Sequence, residues 1–199
     1  MNIEKRANEI LEIQRNAILN LKISSEMIIA INKIIETTKN EKLIITSGIG
    51  KAGIIASKMS ATLSSIGIRS IYIHPAESLH GDLGRVSPND LIIIFSHSGS
   101  TMECINMVNA INKLNNYNNY IITISSSKSP KIESNLVISY GNIEESCIVK
   151  KVPSTSTTIM LIIADILALT AAESIGLNDD WFRLRHPGGA IGSFYQQNK

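Results

Sequence analysis

The chain is poor in cysteine, aromatic residues and net charge, and each shortage excludes a class of protein. Two cysteines in 199 residues, Cys104 and Cys147, make no disulfide framework and have no metal-ligand spacing, which points to a reducing, cytoplasmic setting. A net charge of +2, with no basic cluster interleaved with aromatics, argues against a nucleic-acid surface. The longest apolar stretch, Ile159 to Ala172, carries Asp165 and reads as too short to span a bilayer, so no membrane partner is expected. Met1 to Arg15 is charged and helical in pattern, unlike a signal peptide. Neither an internal repeat nor a Pro/Ser-rich linker divides the chain, and 199 residues suit one domain with a substantial core.

What the chain does have is an apolar run that breaks into hydroxyls: Ile92-Ile93-Ile94-Phe95-Ser96-His97-Ser98-Gly99-Ser100-Thr101. Such runs read as buried parallel strands, and the loop leaving one points to where ligands bind in open α/β sheets. Backbone N–H groups at the following helix start, with three Ser and a Thr, suit a phosphate; the loop holds no Lys or Arg. A second junction of the same kind lies upstream, at Leu43-Ile44-Ile45-Thr46-Ser47-Gly48-Ile49-Gly50-Lys51-Ala52-Gly53. Together the two loops could flank one sugar phosphate across a switch point of the sheet. Gly48, Gly50 and Gly53 also match a dinucleotide fingerprint, which keeps an NAD-binding reading open. Against it, the next strand ends Tyr72-Ile73-His74-Pro75 without the acidic residue a ribose would need. It is not a Walker A loop, because Ala52 follows Lys51.

Periodicity predicts two amphipathic helices, or one long bent one, over residues 1–40, from Ile3, Ala7, Ile10, Ile18 and Leu21 and then Met27, Ile31 and Ile35. Strands are expected at 43–46, 69–74, 91–95, 120–125 and 135–139, and helices at 52–66, 102–114 and 155–175. A loop is expected from Pro75 to Pro88, and a tail after residue 176. The alternation predicts an α/β three-layer sandwich with a central, mainly parallel five-stranded sheet behind N-terminal helices. The expected organisation is a single domain over 1–199: helical segment 1–40, sheet core 41–176 and C-terminal tail 177–199.

Thr46-Ser47-Gly48-Ile49-Gly50-Lys51, the segment from His74-Pro75-Ala76-Glu77 to His80-Gly81-Asp82-Leu83-Gly84, and Ser96 to Thr101 resemble a sugar isomerase (SIS) domain, a flavodoxin-like fold. The His-Pro-Ala-Glu segment and the tail Arg185-His186-Pro187-Gly188-Gly189-Ala190-Ile191-Gly192 are similar to the arabinose 5-phosphate isomerase branch in particular. The resemblance implies interconversion of D-ribulose 5-phosphate and D-arabinose 5-phosphate, supplying the Kdo sugar of lipopolysaccharide. The chemistry is an aldose–ketose isomerisation through a cis-enediol, with no cofactor. It needs a base, a proton donor and a positive group for the enediolate.

By that resemblance Lys51 stabilises enediolate charge, Glu145 or Glu103 is the base, and His186 opens the ring or relays a proton in a neighbouring subunit's site. Ser96, His97 (through its N–H), Ser98 and Thr101 would hold the phosphate, with Ser47, Gly48, Ser154, Thr155 and His80 nearby; His74 would take an inhibitory zinc. The implied assembly is a homo-oligomer, a tetramer. Plainer readings stand beside these: Ser and Thr before helices are usually caps, a Glu in a first turn is favoured by the helix dipole, and His74 could be a satisfied loop histidine.

Two departures stand out. Where relatives have Cys-Pro-Leu-Gly-Leu-Ala-Pro after the glutamate, this chain reads Cys147-Ile148-Val149-Lys150-Lys151-Val152-Pro153, adding two positive charges. Many relatives also continue into paired CBS domains beyond the Pro-Gly-Gly tail, so a short form is expected here. Another phosphosugar isomerase, acting on a hexulose or heptulose phosphate, and a non-catalytic sugar-phosphate sensor remain the competing functions. The sensor is disfavoured by the lack of a helix-turn-helix or basic segment.

Overall fold

The computed structural model describes residues 1–188 and Ser193. Two separate helices lead, α1 (Ile3–Asn20) and α2 (Ser25–Lys39), each started by a polar cap: Asn2 accepts from Lys5 N, Ser24 from Met27 N. Then follow β1 (Ile44–Gly48), α3 (Gly50–Ser65), β2 (Ser70–Tyr72), α4 (Pro75–Ser78), β3 (Leu91–Phe95), α5 (Met102–Leu114), β4 (Tyr120–Ser125), β5 (Leu136–Ser139), α6 (Thr155–Ser174) and α7 (Asp179–Arg185). The loop expected between Pro75 and Pro88 contains α4 and a 3-10 turn over Asp82–Arg85. The expected tail contains α7, whose cap Asn178 accepts from Trp181 N.

The five strands form one sheet in the order β2-β1-β3-β4-β5, and every pairing is parallel, where the sequence predicted a mainly parallel one. Side chains alternate between faces along β3. Leu91, Ile93 and Phe95 pack under α2, α3 and α6, while Ile92 and Ile94 meet Met107, Val108 and Ile111 of α5. Both faces of the central strands are therefore dry, which is why β3 reads as an unbroken apolar run, while β1 follows Ile44 and Ile45 with the buried Thr46 and Ser47.

Helix α6 corrects one expectation. The apolar stretch around Asp165 belongs to a helix of 20 residues, long and apolar enough by length and composition to cross a membrane. Here its Ile159, Ile163, Leu167 and Ala171 are fully buried in the cluster beneath β3 and against α2 and α3. Each such Leu or Ile contributes about 1.5–3 kcal/mol by leaving water. Helix α1 is the opposite case. None of its residues is buried, and it reaches the body chiefly through α6.

A cleft at the switch point between β1 and β3

From β1 the chain crosses by α3 to β2; from β3 it crosses by α5, on the other face, to β4. The two strands are neighbours whose connections depart in opposite directions, which opens a crevice at their carboxyl ends. The loops bounding it are Gly48–Lys51 and Ser96–Thr101. Gly48 lets them approach: a Cβ there would fall 2.8 Å from the Phe95 carbonyl oxygen and 3.1 Å from Ala52 C. Gly99 turns the second loop at φ +64°, and a Cβ would meet Pro130 Cβ at 2.4 Å.

Internal hydrogen bonds hold the second loop in shape. Ser96 and Thr101 hydroxyls are 2.9 Å apart, Gly99 N donates to Ser96 Oγ, and Ser98 Oγ accepts from Ser100 N and Ser100 Oγ. His97 borders the cleft, its Nδ1 is 2.8 Å from Tyr140 Oη, and its carbonyl accepts from Ser126 N. Between the loops lies a cleft of about 300 Å³. Lys51, Ser96, Ser98 and Thr101 line one part of it; Ser156 and Thr157, from the amino end of α6, line another. That volume suits a ligand of pentose-phosphate size.

Glu145 lies just behind the α6 end. Its Oε2 accepts from Ser154 N (2.8 Å), Ser154 Oγ (3.0 Å) and Ser156 N (3.3 Å), so the carboxylate caps the helix. Burial pushes its pKa up, but the hydrogen bonds at Ser156 and Ser154 outweigh that and hold the carboxyl below its ordinary value. Two residues expected to contact the substrate take part in this cap. Ser154 is occupied by Glu145, and Thr155 Oγ1 pairs with Ser146 Oγ at 2.9 Å. The α6 residues lining the cleft come two positions later, Ser156 and Thr157, the latter donating its hydroxyl to the Ser154 carbonyl at 2.8 Å. Ser156 Oγ is buried beside the Glu145 carboxylate. Sequence alone could not select them from the run Ser154 to Thr158, because neighbouring helix positions differ by about 100°.

Other expected site residues lie apart. Ser47 is buried, its hydroxyl spent on the Ile73 carbonyl at 2.6 Å, so only its backbone borders the loop. Glu103 is exposed on the first turn of α5 and does not line the cleft, and His80 is exposed after α4. Lys150 spends its charge on Glu144 at 2.7 Å. Among the described residues, His74 Nδ1 is buried without a hydrogen-bond partner, yet no group of three His, Cys, Asp or Glu forms. One unaccompanied imidazole does not fit a zinc site.

His186 stacks on Phe182 (3.9 Å between rings) and its Nδ1 meets the Phe182 carbonyl at 2.8 Å. The same short helix packs on Gly67, where a Cβ would touch Trp181 Nε1. Gly67 follows the far end of α3, and the helix between it and Lys51 spans about 24 Å. His186 thus sits at the opposite end of the sheet from its own subunit's cleft. The rest of the expected motif, Gly189 to Gly192, lies outside the described residues.

Sheet order and a cleft at the carboxyl ends place the protein among doubly wound α/β domains that bind ligands at the switch point. The SIS domain profile matches residues 37–165, and the chain belongs to the SIS domain family. It is similar to arabinose 5-phosphate isomerase KdsD of Pseudomonas aeruginosa, 35% identical over 155 residues, which cover 75% of this chain and 45% of that protein. With the KdsD of Salmonella typhi it shares 32% identity over 96% of this chain and 58% of the relative. The chain spans about half the length of these curated relatives. Among solved structures, a Bacteroides fragilis protein assigned as a phosphosugar isomerase involved in capsule formation superposes with a TM-score of 0.89 at 33% identity, covering 94% of this chain and 99% of the other. An Escherichia coli CFT073 protein in complex with arabinose 5-phosphate gives 0.83 at 28% identity, covering 94% and 100%.

Proposed function

We propose that the protein isomerises D-ribulose 5-phosphate and D-arabinose 5-phosphate, with residues 1–199 as one SIS domain, in the cytoplasm, supplying Kdo and lipopolysaccharide synthesis. The observation that carries this reading is the cleft itself, which sets a hydroxyl-lined phosphate loop and Lys51 opposite a helix start held by Glu145. The relatives named as arabinose 5-phosphate isomerases, and the neighbour in complex with that sugar phosphate, support the choice of sugar. The phosphate rests on Ser96, Ser98 and Thr101 and on the amino end of α5, where N–H groups favour an anion. Lys51 faces the sugar and stabilises the enediolate.

Of the two glutamates, Glu145 is better placed to be the base. It caps the end of α6 whose Ser156 lines the cleft, and its hydrogen bonds end on Oε2, which leaves Oε1 to take the proton next to the carbonyl. Glu103 faces solvent in the single chain. His186, distant from its own cleft, serves a neighbour's, so the working form is a homo-oligomer, a tetramer. Incubation with ribulose 5-phosphate in deuterated water tests the reading. Deuterium entry next to the carbonyl together with conversion to arabinose 5-phosphate supports it; binding without either product makes the protein a sugar-phosphate sensor.

A further inference from the structure

The segment that carries Glu145 is held from two sides. On one, Ser146 N and Ser146 Oγ meet Ser154 Oγ at 3.1 and 3.2 Å, and Ser146 Oγ meets Thr155 Oγ1, all at the start of α6. On the other, α1 reaches in. Arg6 Nη2 donates to the Ser146 carbonyl, Gln14 Nε2 approaches Ser146 Oγ at 3.4 Å, and Thr158 Oγ1 donates to Gln14 Oε1 at 2.9 Å. Gln14 therefore joins the residue after Glu145 to the helix that Glu145 caps. Arg6 is itself fixed by Glu9 at 2.9 Å.

These contacts matter more because α1 has little else to hold it. It buries no residue, and a cavity of about 520 Å³ separates its second half from the Ser139–Glu144 stretch, with Asn16 and Asn20 on one wall and Tyr140 and Asn142 on the other. An amphipathic helix kept only as core cover would be seated by apolar contacts along its length. This one packs Ala17 against the core, and its polar contacts fall on Ser146, 140 positions away from Arg6 in sequence, and on Thr158. We propose that Arg6 and Gln14 are positioning residues for Glu145, acting through Ser146, and that α1 is a latch on the back of the cleft.

The proposal rests on the reading of Glu145 as part of the reacting cleft, and its test separates the two. Arg6→Ala, Gln14→Ala and the double variant are compared with Arg6→Lys, which keeps a donor for the Ser146 carbonyl. Isomerisation of ribulose 5-phosphate is measured alongside the carboxyl titration of Glu145 by carbon-13 NMR. Glu144 and Lys150 are paired with each other, Tyr140 interacts with Glu145 through charge, and Arg6→Lys keeps the cation that Arg6→Ala removes. The expected result in the double variant is a fall in kcat of tenfold or more, KM within twofold, and Glu145 titrating closer to an ordinary carboxyl, with Arg6→Lys largely restoring both readings. An unmoved Glu145 titration overturns the latch whatever the activity. A moved titration in a protein whose parent does not isomerise the sugar upholds the latch and overturns the reaction. A loss confined to KM, or one that Arg6→Lys fails to restore, overturns positioning through Ser146.

Discussion

Glu145→Gln separates the structural work of this carboxylate from its chemistry. Three donors converge on Oε2, and glutamine keeps an acceptor of the same shape, so what the substitution removes is the charge. Hydrogen bonds to a charged acceptor contribute about 1.5–3 kcal/mol against about 0.5–1.5 for neutral ones, and a charge at a helix start adds roughly 0.3–1. Because the three bonds share one oxygen, the losses do not add in full, and a net cost of roughly 2 kcal/mol is expected. In a chain of this size that lowers Tm by about 4–8 °C.

The pH dependence has a definite sign. The carboxyl is held below its ordinary value of 4.5 in the folded protein, so its stabilisation is fully present above that value and fades as pH falls through the lower, folded one. Melting followed by circular dichroism should show wild type and variant separated at pH 7 and converging in acid. Equal Tm values at pH 7, or a gap that stays constant as pH is taken down through the acid range, would refute the cap as described.

Three further outcomes are expected. Lys51→Ala should lower kcat by about two to three orders of magnitude with the fold intact, and Lys51→Arg should restore it only in part, because a planar guanidinium fills the cleft differently; steady-state kinetics with near-normal turnover would sink the role. Ser98→Ala, losing one hydrogen bond to a charged oxygen, should raise KM roughly tenfold and leave kcat nearly unchanged. Under the proposed assembly, mixed oligomers of Glu145→Gln and His186→Ala subunits should regain part of the activity after subunit exchange, since the lesions would then fall in different clefts. No recovery, or a monomer by light scattering, returns His186 to a local role at the Phe182 stack.

The sheet was legible because its strands are buried on both faces. Leu91–Phe95, Met102–Leu114 and Tyr120–Ser125 fall where apolar runs and helical periodicity put them. The misses share a cause: α4 has four residues and α7 has seven, too few for a period to show. The first helix was legible as a helix but not as an unburied one, since a stripe of Ile and Leu does not say what covers it. At the site, the residues within one loop came together: Ser96, Ser98 and Thr101 with Lys51 on the adjacent loop. Rotational phase was not legible. Ser154 and Thr155 bond within the cap while Ser156 and Thr157 line the cleft, and a run of hydroxyls on a helix carries no mark of which way it is turned.

The packing of α2 against α6 also has a consequence for synthesis. Met27, Ala30, Ile31 and Ile34 leave the ribosome early, but the surface that covers them includes Ile159, Ile163 and Leu167. At about 5–20 residues per second, the wait between them is on the order of ten seconds. Throughout that interval α2 and α3 can cover the sheet, but their own outer surfaces lack the helix that buries them. The arrival of α6 against α2 and α3 covers those surfaces, and the same arrival brings the amino end of α6 to Glu145, so the core and the cleft are completed in one event.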